Sequence, residues 1–458
     1  MICARFSPPL LLILLLAPAA ARADDNHYQN FLIGERATGM GGAYAAISDD
    51  SSGAFYNPAG LAEAHHSSLS LSASVYGFAS QSYDLGGALT FSSDNTNFVS
   101  YPTTAAWIQR VRRADDPLTG AGRVQLALSI VTPQTDVLRK RTYLDVPAQA
   151  TGTAGVTRAT QLLSVQNSED DTLWIGASVA WKPARWLSLG LTIYGTIRSG
   201  LYQVHAHGLV TEADAIGPTD RWGLASRYDI TFSHYGLLAL FGVQVQVTDH
   251  LRLGAAIRSP QLGLHGVAEI GYLVAGLTDA GLATVQSIDV EDAAFRDRQP
   301  LKATLGAAYV VPRAWGVSLD ISIYGPAGEY AIFEHDDYPS LAQNLRMQKR
   351  LVWQINAGGE YYIAGAVPLR AGFFTNRSSL AEFETCENGV CGQHANLLTD
   401  GVDLYGVSGS VGWETRRTTL TVGVSYCVGS ITEDVGSGLT QETTRSYLFI
   451  ALGGSFRF

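Results

Sequence analysis

From Leu69 onward the chain repeats one pattern, an apolar side chain at every second position. Leu69, Leu71, Ala73 and Val75 alternate with serines, and Val124, Leu126, Leu128 and Ile130 with Arg123, Gln125 and Ser129. Leu187, Leu189, Leu191, Ile193 and Ile197 oppose Ser188, Thr192 and Arg198, while Leu251, Leu253, Ala255 and Ile257 oppose Arg252 and Arg258. Trp315, Val317, Leu319, Ile321 and Ile323 oppose Ser318, Asp320 and Ser322; Leu420, Val422, Val424 and Tyr426 oppose Thr419, Thr421, Ser425 and Cys427. A period of two with one apolar face means strand. The apolar rows carry no Asp, Glu, Lys or Arg. A cation at mid-bilayer on the outside of a barrel costs about 2–4 kcal/mol, so charge-free rows suit lipid.

A sandwich core would show the same rows, and the links between them decide. Strands are expected at 67–80, 103–112, 123–133, 157–182, 186–200, 225–249, 251–272, 300–312, 314–325, 349–363, 367–377, 402–415, 417–430 and 443–458. Long links near 81–102, 134–156, 201–224, 273–299, 326–348, 378–401 and 431–442 alternate with short ones such as Asp249-His250 and Pro312-Arg313. That order predicts an all-β chain, a transmembrane antiparallel up-and-down β-barrel of 14 strands with long loops at one end. Lipid cannot satisfy an open sheet edge, so the barrel is closed. The stretch 157–182 reads as one long strand or as a hairpin. Charged residues are only 16% of the chain, against roughly 25% in soluble domains. The apolar run Leu10–Ala17 is nevertheless too short for a helical span, which needs about 20 residues.

That run follows Arg5 and precedes Ala21-Arg22-Ala23, so residues 1–23 are expected to be a secretory signal peptide. The stretch after it is neither a good helix nor a strand. Gly39, Gly41 and Gly42 permit positive φ and close backbone approach. Asp49, Asp50, Ser51 and Ser52 offer caps for a short turn through Ala54-Phe55-Tyr56, and Pro58 pushes Asn57 toward extended backbone. The outcome is a compact plug that needs walls. Far downstream, Cys386 and Cys391 bracket the turn Glu-Asn-Gly-Val and should pair as a disulfide in an oxidising compartment; Cys427 is a space-filling side chain within a strand.

The run from Gly34 to Ala43 (Gly-x-Arg-Ala-x-Gly-Met-Gly-Gly-Ala), the aspartate pair, and Asn57-Pro58-Ala59-Gly60-Leu61 resemble the N-terminal hatch of the FadL/TodX-type outer-membrane transporters of hydrophobic compounds. Ala256-Ile257-Arg258-Ser259-Pro260 stands where that family has an aromatic before Arg-Ser-Pro, and Pro300-Leu301-Lys302, Leu305–Tyr309 and Pro368–Phe373 look like its later strands. The resemblance implies a hatch over 24–66, a barrel over 67–458, and the outer membrane of a Gram-negative bacterium. It implies a gating role for Asn57, Pro58 and Ala59, alongside the hinge glycines Gly39, Gly41 and Gly42. It also implies an external apolar groove in the loops 201–224 and 273–299, and exit sideways at a kinked third strand ending near Pro133. Those loops carry Leu209 and Trp222, and Leu273, Leu277 and Leu282, the last three spaced for a short helix. The closing aromatic Phe458 resembles the signal read by the barrel-assembly machinery.

The lumen rows place Arg123, Lys182, Arg198, Arg252, Arg258, Lys302 and Arg370 against Asp320 and Glu360. A basic-leaning interior in a chain of net charge −10 invites an anionic group, with Arg258, Lys302 and Arg370 as its candidate contacts and Phe31 and Leu32 lining an inner pocket. No spacing supports a metal, a cofactor or a nucleophile–base pair, and the acidic balance argues against nucleic acid. The expectation is a monomeric, passive, non-enzymatic transporter set in outer-membrane lipid. Its ligand would be a long-chain fatty acid or aromatic hydrocarbon, captured by the apolar loops and released by the hatch. A non-transporting barrel acting as scaffold or secretion-system partner is the alternative.

Overall fold

The computed structural model describes residues 27–64, 66–86, 91–101, 104–112, 121–150, 156–214, 220–278, 281–339, 346–381, 383–387, 390–394, 401–436 and 439–458. The expected signal peptide lies outside them. Fourteen antiparallel strands form the wall. The first (Ser68–Gly86) pairs with the last (Leu439–Arg457), from Ser68↔Arg457 to Gly86↔Thr440, which closes the sheet. Between them run the third (Val124–Ala150), fourth (Val156–Ala184), fifth (Leu187–Asp214) and sixth (Asp220–Gln246), and the ninth (Trp315–Tyr324) through thirteenth (Thr418–Gly436). Three strands are built of two pieces. These are the second (Phe91–Tyr101, Thr104–Arg112), the seventh (Leu251–Arg258, Leu262–Thr278) and the eighth (Gly281–Phe295, Lys302–Val311).

The alternation survives as geometry. Leu126, Ile193, Leu305 and Val422 point outward at 46%, 53%, 69% and 56% exposure, while Gln125, Ser188 and Thr192 are essentially sealed inside. No helix among the described residues is long and apolar enough to cross a membrane.

Residues 157–182 belong to one strand, Val156–Ala184, paired along its length with the fifth, so the single-strand reading holds over the hairpin. One expectation needs correction. The links 134–156, 201–224 and 273–299 are largely strand as well. The third to sixth strands run 27, 29, 28 and 27 residues, and spanning needs only about 9–11. The excess forms tall hairpins on the long-link side. Leu273, Leu277 and Leu282 therefore lie on strands and not on a helix. The reason is local, because the period of two continues: Tyr202, Val204, Ala206 and Val210 are buried while His205, His207 and Leu209 are exposed.

The third strand carries a register shift between Val131 and Gln134, on either side of Thr132-Pro133. Below it the strand pairs with Thr104–Arg112; above it, among the described residues, no ladder joins it to Phe91–Tyr101, which pairs with the first strand. The wall has a seam there.

An outward apolar row predicts its own test. Leu305→Arg should lower stability in refolding from urea into lipid vesicles by about 2–4 kcal/mol, whereas a polar exchange at lumenal Thr304 should change it little.

Candidate functional site

The barrel holds its own N-terminal segment. Residues 27–64 thread through the lumen and are buried almost throughout, with two short helices, α1 (Glu35–Gly39) and α2 (Gly53–Tyr56), and a 3₁₀ turn over Pro58–Glu63. Helix α1 ends where Gly41 and Gly42 turn left-handed, at φ 63° and 77°, and the Gly42 amide closes back onto the Ala37 carbonyl at 2.8 Å. A side chain at either position would be strained. Gly39 is helical and serves by closeness, since a Cβ there would lie 2.0 Å from Ser410 Oγ.

A backbone without regular partners must be answered by the wall. Asp320 Oδ2 accepts from both the Tyr44 and Ala45 amides at 2.7 Å. Asn57, extended at φ −158°, donates to the Ala45 carbonyl at 2.7 Å and to Val243 of the sixth strand at 3.0 Å, and accepts from the Ala59 amide at 3.2 Å. Asn356 donates to the Gly41 carbonyl at 2.6 Å and Ser408 Oγ accepts from its amide at 3.1 Å. Ion pairs fix the two ends. Arg36 forks onto Glu360 and reaches Asp49 at 2.8 Å, while Glu63 takes Lys182 and Ser188, both at 2.6 Å.

The wall also yields space. Gly190 faces Gly242, Gly254 faces Gly306, and Gly358 faces Gly372, each pair directly opposed across neighbouring strands. A Cβ at Gly190, Gly242, Gly254, Gly358 or Gly372 would come within 2.0–2.3 Å of the backbone or side chain of Pro58, Asn57, Ala45, Met40 and Gly41 respectively. Three glycine seats thus receive the three turns of the plug.

Above the plug lies an apolar chamber. Phe31, Leu32 and Ile33 fill it, packed among Val131, Trp174, Tyr194, Phe374, Leu404 and Phe449. What remains beside Phe31 and Leu32, toward Lys302 and Asn376, is a cavity of about 30 Å³, room for a water molecule.

The expected site residues divide by position. Gly39, Gly41, Gly42, Asn57, Pro58 and Ala59 all sit at the plug–wall contact, and Phe31 and Leu32 in the chamber. Lys302 borders the small cavity, and Arg258 lies buried between Trp174 and Tyr324. Arg370 stands elsewhere, paired with Glu360 at 3.3 Å and Glu414 at 3.1 Å beneath α1, so its charge is taken up by the hatch anchorage. Leu209, Gly223, Leu277 and Leu282 align as one row across the tips of the fifth to eighth strands. Trp222 packs beside Leu162, Ala206 and Val210 at the same level, and Leu273 lies further down its strand at 37% exposure. Cys386 and Cys391 face each other in a small hairpin, but their side chains lie outside those described. Cys427 is buried in the chamber wall. Sequence reasoning missed the pairing of Arg36 with Glu360, although Arg36 stands inside the glycine motif and Glu360 in an inward row.

Two outcomes follow. Asp320→Ala removes the acceptor from two buried amides, at about 1–3 kcal/mol each, and should expose Arg36, the sole Lys or Arg between His27 and His66, to trypsin at lower urea than in the wild type. The second concerns Glu35, whose carboxyl is pushed up to about 8 from 4.5 by burial and then by Asp50, with Arg370 and Arg457 opposing. The docked hatch therefore holds a proton that the free segment releases, so docking is strongest near pH 4.5 and below and weakens as pH rises to about 8. In planar bilayers, opening events should grow more frequent as pH rises from 4.5 to about 8 and level off above that, and Glu35→Gln should flatten the response.

No protein-family profile matches the chain, and neither does any curated protein. Solved structures do. The toluene transporter TodX of Pseudomonas putida superposes with a TM-score of 0.59 at 11% identity, over 94% of this chain and 99% of that one. A FadL homologue of Pseudomonas aeruginosa gives 0.57 at 13% identity, over 94% and 100%. The toluene transporter TbuX of Ralstonia pickettii gives 0.50 at 16%, over 94% and 99%. At such identities the likeness is one of architecture, and over nearly its whole length the chain has the 14-stranded barrel fold of the FadL- and TodX-type transporters.

Proposed function

We propose that the protein is a passive outer-membrane channel for hydrophobic molecules, long-chain fatty acids or aromatic hydrocarbons, with residues 24–66 as its gate. The observation that carries this reading is the apolar chamber directly above the plug. It is lined by Trp174, Tyr194, Phe374 and Phe449, yet filled by the plug's own Phe31, Leu32 and Ile33. Burying three such side chains is worth about 1.5–3 kcal/mol each. An apolar guest offers the chamber the same burial, so it competes with the segment instead of adding to it. Displacing 31–33 pulls on α1 and on the two left-handed glycines behind it. The exposed Leu209 and Leu273 on the tall hairpins would gather ligand outside, as exposed apolar surface commonly does.

The seam above Val131 supports a sideways exit. Asn30 is the group that meets the wall there, donating its amide to the Pro133 carbonyl at 3.3 Å and its side chain to the Thr135 carbonyl at 3.0 Å. Segment 30–33 thus touches both the chamber and the seam, and one movement would empty the first and open the second.

A reversible lock tests this. A Cβ at Gly423 would lie 3.5 Å from Thr38 Cγ2, close enough for Thr38→Cys and Gly423→Cys, in a Cys427→Ser background, to tie α1 to the wall. Oxidised cells should take up toluene and oleate no faster than cells lacking the protein, and reduction should restore uptake. Equal uptake with the lock closed, or in the absence of the protein, would sink the reading in favour of a scaffold.

A further inference from the structure

The plug's described portion begins beside an arrangement that the hydrophobic chamber does not account for. Tyr28 is 4% exposed and lies flat on Tyr324, ring centroids 4.4 Å apart and planes within 9°. Three cations surround this pair. Lys349 Nζ is 5.5 Å from the Tyr28 ring, Lys302 Nζ 5.0 Å from that of Tyr324, and the Arg258 guanidinium 5.7 Å from Tyr324 and 5.3 Å from Trp174.

One of the three is ion-paired with a carboxylate, and a second has one on the same cavity. Lys349 meets Asp297 at 3.5 Å, which also holds Arg198 at 3.1 Å, and Lys302 shares the edge of the small cavity with Asp320. Arg258 differs. It is 4% exposed, no carboxylate pairs with it among the described residues, and its Nε and Nη2 are buried without an acceptor. A sealed, unpaired guanidinium is among the costliest groups a protein interior can hold, and ring faces replace only part of what water gave it.

We propose that this is a binding site for an aromatic molecule bearing an anionic oxygen, of the benzoate class, and that Tyr28 is its resident stand-in. The inference rests on the uptake reading above and narrows its substrate. The stacked pair defines a slot one ring thick against Tyr324, and a benzoate ring matches the phenol it would replace in size. Its carboxylate lies in the ring plane, as the two parallel N–H bonds of a guanidinium fork require. A neutral hydrocarbon would leave Arg258 unanswered, and an acyl chain makes no use of a flat platform. Entry requires Tyr28 to leave, and five residues later the same strand of chain is Ile33 in the chamber. Ligand binding is thereby coupled to release of the plug.

Calorimetry on the detergent-solubilised full chain with benzoate, benzyl alcohol (same ring, no charge) and hexanoate (charge, no ring) tests the idea. Benzoate should bind about tenfold tighter than either, a 1.4 kcal/mol difference, and quench fluorescence that disappears in Trp174→Phe. Tyr28→Ala, which removes the competitor, should tighten benzoate about tenfold. Arg258→Met should bring benzoate down to the level of benzyl alcohol in protein that still shows a folded barrel's heat-modifiable migration. If that variant does not fold, Arg258→Lys, which keeps charge without the fork, should still lose about threefold or more. Benzoate no tighter than benzyl alcohol or hexanoate, or weakened by Tyr28→Ala, overturns the proposal. Toluene and oleate uptake is read separately: if they enter cells while benzoate shows no preference, the site assignment falls and the uptake reading stands. If neither enters, the uptake reading itself falls.

Discussion

An irregular backbone sealed inside a barrel has to find every hydrogen-bond partner without water, and that demand shapes the rest of this molecule. A strand satisfies its amides through its neighbours; a plug cannot. Asp320, Asn57, Asn356 and Gln244 meet the demand here from one hatch residue or from the wall, each aimed at a main-chain group of residues 41–48. A buried carboxylate such as Asp320 is stabilising only because two amides converge on it. The same side chain on an empty lumen wall would be a liability.

Closeness is the second condition. Main chain can bond to main-chain-like depth only where the wall has no side chain, which is why the opposed glycines come in pairs at the level of the plug. Above that level the lumen side chains become aromatic, alongside the buried ions Arg198, Asp297 and Lys349, and below it Arg123 donates to the Ala62 carbonyl at 3.0 Å. The vertical order of apolar chamber, polar clasp and charged foot thus follows from what each part of residues 27–64 presents to the strands around it.

Much of the wall was legible in the sequence because strand alternation is a local signal. The closed antiparallel barrel followed from charge-free rows and alternating links. Link length misled at 201–224 and 273–299, where apolar content suggested loops with a helix. Continued alternation at Tyr202, Val204 and Ala206 was the better guide. For the site, the glycines and Asn57 were visible as a motif, since their chemistry is carried by residue type and order. Their partners were not, because Gly41 and Ser408 stand 367 positions apart and no local pattern joins them. Arg370 shows the limit plainly: facing inward can be read from a strand, but whether a carboxylate stands beside the charge cannot. Tyr28 gave no signal at all, one aromatic in a stretch without a period.

The ring's closing joint lies between the strand that opens the wall and the one that ends the chain. The plug is synthesised before either, yet its contacts reach as far as His27 with Val402, 375 positions away, and Glu35 against Gly453. It has no lodging until the cylinder around it exists. The leading segment must therefore stay unstructured through synthesis and insertion and fold last, as a guest inside a finished host, where non-local pairing makes the step slow.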